Sequence, residues 1–134
     1  KKNIEKRGFK FHKNVIMNEP LGFFDYNKLQ KHAFCVVSDS GTLPEESAYF
    51  NFPAISIRTS TERPEAMDRG VFIIGSITKD QILQAVNMAV EMYKNEDFGS
   101  NVPSYEDENV STKVIKIIQS YTGLINKLVW RKNL

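Results

Sequence analysis

The sequence predicts an α/β domain built on a parallel sheet covered on both faces, and two observations carry that prediction. Short apolar runs rich in β-branched residues recur along the chain: Val15-Ile16-Met17, Phe34-Cys35-Val36-Val37, Ala54-Ile55-Ser56-Ile57 and Val71-Phe72-Ile73-Ile74. Segments with helical spacing separate them, which is the alternation expected of parallel strands joined by crossover helices and buried on both sides. Polar loops follow the second and third runs, so they fall at the carboxyl ends of their strands, where sheets of this kind bind ligands.

Composition narrows the class further. At 134 residues, 41% hydrophobic and 25% charged, the chain is long enough for one domain with a proper core, expected over residues 1–134. A net charge of +2, with Lys and Arg dispersed except at the two ends, argues for neither nucleic acid nor a membrane surface. The single cysteine excludes an internal disulfide and a multi-thiolate metal site, and points to a reducing, cytoplasmic setting. No apolar run approaches the ~20 residues that span a bilayer, and no signal peptide is visible. The chain opens on Lys1 without a Met, which suggests a piece of something longer.

Taken in order, Lys1 to Arg7 is charged and ends at Gly8, a helix C-terminus with cations where the dipole favours them. Val15-Ile16-Met17 reads as a short buried strand and Asn18 to Gly22 as the loop leaving it. His12 is a surface residue beside Lys10 and Lys13. Asp25 is the candidate cap of a short helix through Gln30, with Tyr26 and Leu29 on one face and Phe23 and Phe24 in the core. His32 falls at the end of that helix, and Cys35, with no histidine partner nearby, reads as a small core residue in the next strand.

Ser38 to Gly41 is small and polar, and Gly41 is free to take a positive φ. Thr42 suits an N-cap, Pro44 suits the first helical turn, and Glu45 completes a Thr-x-x-Glu capping box. Two readings stand: a strand-loop-helix junction that cradles a phosphate at a helix N-terminus, or an ordinary βα turn with good capping. Adjacent Glu45 and Glu46 point in different directions on a helix, so they do not form a converging acid/base pair. Arg63 is either a solvated loop arginine or a charge-assisted ligand contact, with Pro64 fixing the backbone and Thr61 and Glu62 placed to orient it.

Glu65 to Arg69 makes a short helix ended by Gly70. Thr78-x-x-Gln81 is a second capping box, opening a helix whose Ile82, Leu83, Val86, Ala89 and Val90 form a core stripe. Asn95 to Asp107, with Gly99 and Pro103, reads as a loop. Asn109 or Ser111 caps a last helix with Val114, Ile115, Ile117 and Ile118 on it, ending near Gly123. The tail from Leu124 to Leu134 carries Leu128, Val129 and Trp130 between lysines. There is no Gly-x-Gly-x-x-Gly, Walker A sequence, internal repeat or Cys/His cluster, so classical dinucleotide binding, P-loop chemistry and structural zinc have no support.

Ser38-Asp39-Ser40-Gly41-Thr42-Leu43-Pro44-Glu45-Glu46, followed by Phe52-Pro53 and Thr61-Glu62-Arg63-Pro64-Glu65, resembles the C-terminal domain of the non-hydrolysing UDP-N-acetylglucosamine 2-epimerases. The resemblance runs from about Asn14 to the helix around Glu91. It implies a Rossmann-like three-layer parallel sheet forming the C-terminal half of a GT-B fold. By the same comparison Tyr26, in place of the more usual Phe, stacks near uracil. Ser40, Gly41 and Thr42 match the diphosphate-binding triplet, with Thr42 where many members have a second glycine. Glu46 matches the residue that accepts from the ribose hydroxyls, and Arg63 a basic residue that approaches the ligand.

The implied enzyme is an isomerase that inverts C2 of a UDP-N-acetylhexosamine for bacterial capsule or O-antigen synthesis, with no cofactor and no metal. A carboxylate removes the C2 proton, UDP leaves, and both add back with C2 inverted. The proton-transferring residues belong to an N-terminal domain, so the resemblance implies no catalytic residue here and no activity for this chain alone. It also implies that residues 124–134 pack on that domain, leaving Trp130 partly exposed in its absence, and that the full enzyme is a homodimer. UDP-N-acetylglucosamine and UDP-N-acetylmannosamine are the default substrate pair. Thr42, Asn109-Val110-Ser111 and Ile118-Gln119-Ser120-Tyr121-Thr122 look like the branch that makes UDP-N-acetyl-L-fucosamine from its talose isomer. A GT-B glycosyltransferase nucleotide domain and a non-catalytic nucleotide-sensing module are the remaining alternatives.

Overall fold

Local sequence chemistry sets most of the elements. The computed structural model describes Ile4 and residues 6–132. Most of the charged stretch before Lys6 and the last two residues of the predicted tail lie outside the described residues. Gly8 does take the left-handed conformation of a helix C-terminus, φ +62°, and the Phe9 N–H reaches back to the Ile4 carbonyl at 3.3 Å. The helices that follow are α1 (Phe23–Lys31), α2 (Leu43–Phe50), α3 (Pro64–Asp68), α4 (Lys79–Lys94) and α5 (Val110–Leu128). The strands are β1 (Val36–Ser38), β2 (Ala54–Ser56) and β3 (Ile73–Ile74), and a single 3-10 turn covers Pro103–Tyr105.

The three strands pair in parallel in the order β1-β2-β3, with Val36 opposite Ala54, Ser38 opposite Ser56 and Ile55 opposite Ile73. β2 is central and buried throughout. Alternation along it sends Ala54 to one face, where Leu43 of α2, Ala66 of α3, Phe52 and Phe72 pack, and Ile55 to the other, against Ala85 and Ala89 of α4. The predicted parallel sheet with helices on both faces is what forms. α4 lies over β2 and β3, so Val37 on edge strand β1 stays 46% exposed although it sits beside buried Ile55.

Several expectations are corrected. Val15-Ile16-Met17 makes no strand, and Ile16 is 81% exposed, because no strand among the described residues pairs with the segment. Phe23 and Phe24 stack edge to face on each other, 5.6 Å between ring centres, and lie in the surface, Phe24 at 85% exposure. α1 begins two residues before Asp25, with Gly22 at its N-cap, so Asp25 sits in the first turn instead of capping it. Leu83 is exposed, and Ala85 takes its place in the α4 stripe. Val71 and Phe72 precede β3 instead of belonging to it.

α5 does not stop near Gly123 but runs five residues further, to Leu128. An interior glycine costs about 1 kcal/mol relative to alanine, too little by itself to end the helix. Every residue of α5 except Asn126 is exposed, and Trp130 just beyond is 66% exposed. The accessible surface is 10928 Å² for a chain of 15.4 kDa, against about 7,200 Å² for a compact monomer of that mass. Much of the excess is apolar side chain on α1, on α5 and along residues 15–24.

Candidate functional site

Both polar loops open at the carboxyl ends of β1 and β2. The first closes on itself: the Ser40 N–H donates to Ser38 Oγ at 3.0 Å, the Thr42 N–H to Ser40 Oγ at 3.3 Å, and the Ser40 and Thr42 hydroxyls lie 2.9 Å apart. Gly41 does not use a positive φ. What its missing side chain leaves is room, since a Cβ there would meet no atom within 4 Å.

The expected capping box is not made. Thr42 is the N-cap residue but has an α-region backbone, φ −90° and ψ −5°, and its side chain caps no N–H. Its hydroxyl instead donates to Glu46 Oε1 at 2.9 Å. Glu45, the predicted reciprocal partner, accepts from Arg63 Nε at 2.5 Å. An ion pair with a guanidinium, charged on both sides, outweighs the contact of the same carboxylate with an uncharged backbone N–H. In the first turn of α2 the Leu43 N–H bonds the Ser40 carbonyl at 3.5 Å and Pro44 has no N–H, which leaves the Glu45 N–H without a side-chain acceptor.

The second loop delivers Arg63 to that helix end. Its backbone N–H is held by Thr61 Oγ1 at 3.1 Å, its Nη1 donates to the Glu62 carbonyl at 3.2 Å, and Pro64 opens α3 immediately after it. The bond to Glu45, followed by that residue's charge, holds the guanidinium's pKa above its ordinary value, so it is permanently cationic. Arg58, not singled out from sequence, ties the two loops together: Nε to the Asp39 carbonyl at 2.7 Å and Nη1 to Glu62 Oε2 at 2.8 Å.

Glu46 faces a different side. Its Oε2 accepts from Gln30 Nε2 at 2.6 Å, which brings α1 against α2. Tyr26 lies one turn before Gln30, 38% exposed, and partial burial together with the Glu46 charge pushes its phenol up. Ser40, Gly41, Thr42 and Glu46 therefore share one loop-helix junction, Arg63 is tied to it through Glu45, and Tyr26 borders it beside Glu46. Among the described residues no group of three or more His, Cys, Asp or Glu is placed to hold a metal ion, and no helix is long and apolar enough to cross a membrane.

A family model described as UDP-N-acetylglucosamine 2-epimerase matches residues 1–119. The chain belongs to the UDP-N-acetylglucosamine 2-epimerase family. It is 31% identical over 86 residues to a UDP-N-acetylglucosamine 2-epimerase of Methanocaldococcus jannaschii, covering 64% of this chain and 24% of that protein. To the Salmonella typhimurium enzyme of the same name it is 26% identical over 109 residues, covering 81% of this chain and 29% of the relative. The solved UDP-N-acetylglucosamine 2-epimerase of Rickettsia bellii superposes with a TM-score of 0.68 at 44% identity, covering 82% of this chain and 30% of that one. The chain thus spans less than a third of the length of these relatives.

In this 2-epimerase family chain the segment from Asn95 to Asp107 does more than the expected loop. Val102 is buried, and Tyr105 packs against the Leu43 cluster while its hydroxyl donates to Glu65 Oε1 at 3.0 Å. Burial first, then the bond to Glu65 and the Glu45 charge, hold this phenol's pKa far above the ordinary value, so it remains a donor. An aromatic two residues after Pro103 in a polar stretch was the one signal that could have marked it. Cys35 is half-buried, and burial pushes its thiol up, in keeping with a structural role. His32 is the C-cap of α1, as its place at a helix end implied.

Proposed function

We propose that residues 1–134 form the UDP-binding domain of a UDP-N-acetylglucosamine 2-epimerase, an isomerase interconverting UDP-N-acetylglucosamine and UDP-N-acetylmannosamine. The observation that carries this reading is the open N-terminus of α2, uncapped by any side chain, with clear space over Gly41 and a fixed arginine beside it. The positive end of the helix dipole and a guanidinium, beside a glycine with open space over it, together suit a diphosphate. The diphosphate lies over Ser40, Gly41 and Thr42 and meets Arg63; the ribose hydroxyls donate to Glu46, and uracil stacks on Tyr26. The names of the relatives favour the glucosamine pair over the fucosamine-forming branch.

In such an enzyme the C2 proton and UDP leave the sugar, and both add back: UDP to C1 on the face it left, a proton to C2 on the opposite face. This chain's part is to hold the departing diphosphate and stabilise its developing charge, binding that counts most where the charge is greatest. The proton-transferring carboxylates belong to the N-terminal domain, on which α5 and Trp130 pack, and the whole enzyme works as a cytoplasmic homodimer supplying surface polysaccharide. The chain alone is therefore expected to turn over no sugar nucleotide.

An amide NMR titration with UDP, with uridine and inorganic phosphate as controls, tests the reading. Saturable shifts centred on Ser40, Gly41, Thr42, Glu46 and Arg63 are expected; a folded chain that ignores UDP, or responds to phosphate alone as it does to UDP, would overturn it. Arg63→Ala is expected to weaken UDP about tenfold to a hundredfold, the range for losing a charge-assisted bond, and to leave uridine nearly unaffected. Gly41→Ala is the sharper probe. A Cβ there touches nothing in the protein, so the unfolding midpoint should hold while UDP binding falls at least tenfold through steric exclusion, about the loss one misfitted contact brings.

A further inference from the structure

α1 has one buried residue, Gln30, at 3% exposure, and it is an amide rather than an apolar side chain. Helices normally dock through an apolar stripe; here Phe23, Phe24 and Leu29 are all exposed, and the link to α2 is Gln30 Nε2 donating to Glu46 Oε2 at 2.6 Å. The amide's orientation follows from the partner, because a carboxylate only accepts and the amide oxygen would repel it. That choice leaves Gln30 Oε1 buried with no hydrogen-bond partner, a cost that leucine or methionine would avoid.

From this geometry we infer that Gln30 is a positioning residue for the nucleoside end of the site, orienting the Glu46 carboxylate for the ribose. The inference rests on the UDP reading above and goes beyond it. Each Glu46 oxygen takes one donor from the protein, Oε2 from Gln30 and Oε1 from the Thr42 hydroxyl. The two bonds fix the plane of the carboxylate and leave one acceptor position on each oxygen, matching a pair of neighbouring hydroxyls. Tyr26, four residues before Gln30, lies on the same helical face.

Binding of UDP and of 2′,3′-dideoxyuridine diphosphate to the chain and to Gln30→Met tests this. Unsubstituted, the chain is expected to prefer UDP by about tenfold or more, because the hydroxyl-free analogue leaves the remaining acceptor positions of Glu46 without the ribose donors. In Gln30→Met the affinity for UDP should fall about tenfold while that for the analogue changes less than about twofold. An equal loss for both ligands would make Gln30 a docking residue for α1 only, and no loss for either would deny it any role; both overturn the inference. Should Gln30→Met not fold, the side-chain amide protons of Gln30 provide the measurement in chains that keep it. They are expected to be protected from exchange, and to lose that protection at least about tenfold in Glu46→Ala. Exchange indifferent to Glu46 would overturn the inference. Failure of UDP to bind the unsubstituted chain, with the Gln30 amide still dependent on Glu46, would mark the nucleotide reading as the part that failed, and the ribose role would fall with it.

Discussion

Leu43→Ala is expected to destabilise the chain by about 3–4 kcal/mol, within the range measured for truncating fully buried leucines, and to weaken UDP binding through loss of folded protein. Leu43 is wholly buried in the cluster with Phe52, Ala54, Ala66 and Phe72, with Val36, Phe50 and Tyr105 packed around it. Its neighbours come from β2, α3 and the segment before β3, elements too constrained by one another to collapse into the space. Domains of this size have about 5–15 kcal/mol in hand, and one that buries so little of its apolar surface sits towards the lower end. Leu43 also stands directly after Thr42 as the first residue of α2, so the side chain that anchors the core anchors the start of the helix beneath the loop. Urea unfolding followed by circular dichroism measures the change in midpoint at constant slope. A midpoint equal to that of the unsubstituted chain would mean that the core is not organised around this residue.

Gly99→Ala is expected to cost about 3 kcal/mol or more, from a left-handed backbone and an overpacked contact together. Gly99 has φ +74°, and a Cβ there would lie 2.7 Å from the carbonyl carbon and oxygen of Gly70 and closer still to the Arg69 oxygen. These are backbone atoms at the end of α3, and the Ser100 N–H is bonded to that same Arg69 oxygen at 2.8 Å. Neither side has a flexible group that can yield. The cheapest response is for residues 99–105 to lift away, taking Val102 out of the core and Tyr105 from Glu65. Hydrogen exchange at the Ser100 amide reports this directly: its protection should vanish in the variant, whereas protection of β2 should fall only as far as the global stability does. Unchanged protection at Ser100 would show that the close approach to Gly70 is not a real constraint.

The long-range bonds at the site explain why its residues were more legible than its wiring. Gln30 and Glu46 are 16 positions apart, Glu45 and Arg63 18, and Glu65 and Tyr105 40. A capping box is a local pattern, and Thr42-x-x-Glu45 satisfies it in sequence. It loses in the structure because Arg63 arrives from another loop with a stronger claim on the same carboxylate. At α4 the second box is half realised: Thr78 is the N-cap with an extended backbone, but its hydroxyl bonds the Gln81 side chain at 2.6 Å instead of a backbone N–H.

By itself the sequence determined the strand-loop-helix order from Val36 to Ile74, the parallel sheet, the start of α2 after Thr42, the end of α3 at Gly70 and the residue types gathered at the two loops. Each of these follows from periodicity, capping and turn chemistry among residues a few positions apart. Only the tertiary structure decided which partner each polar side chain takes, that Gly99 must pass against Gly70, and that Val15 to Met17, Phe23, Phe24 and the length of α5 remain at the surface. An apolar residue in a sequence states a preference for burial. Whether it is buried depends on another element arriving to cover it, and for these stretches no element among the described residues does.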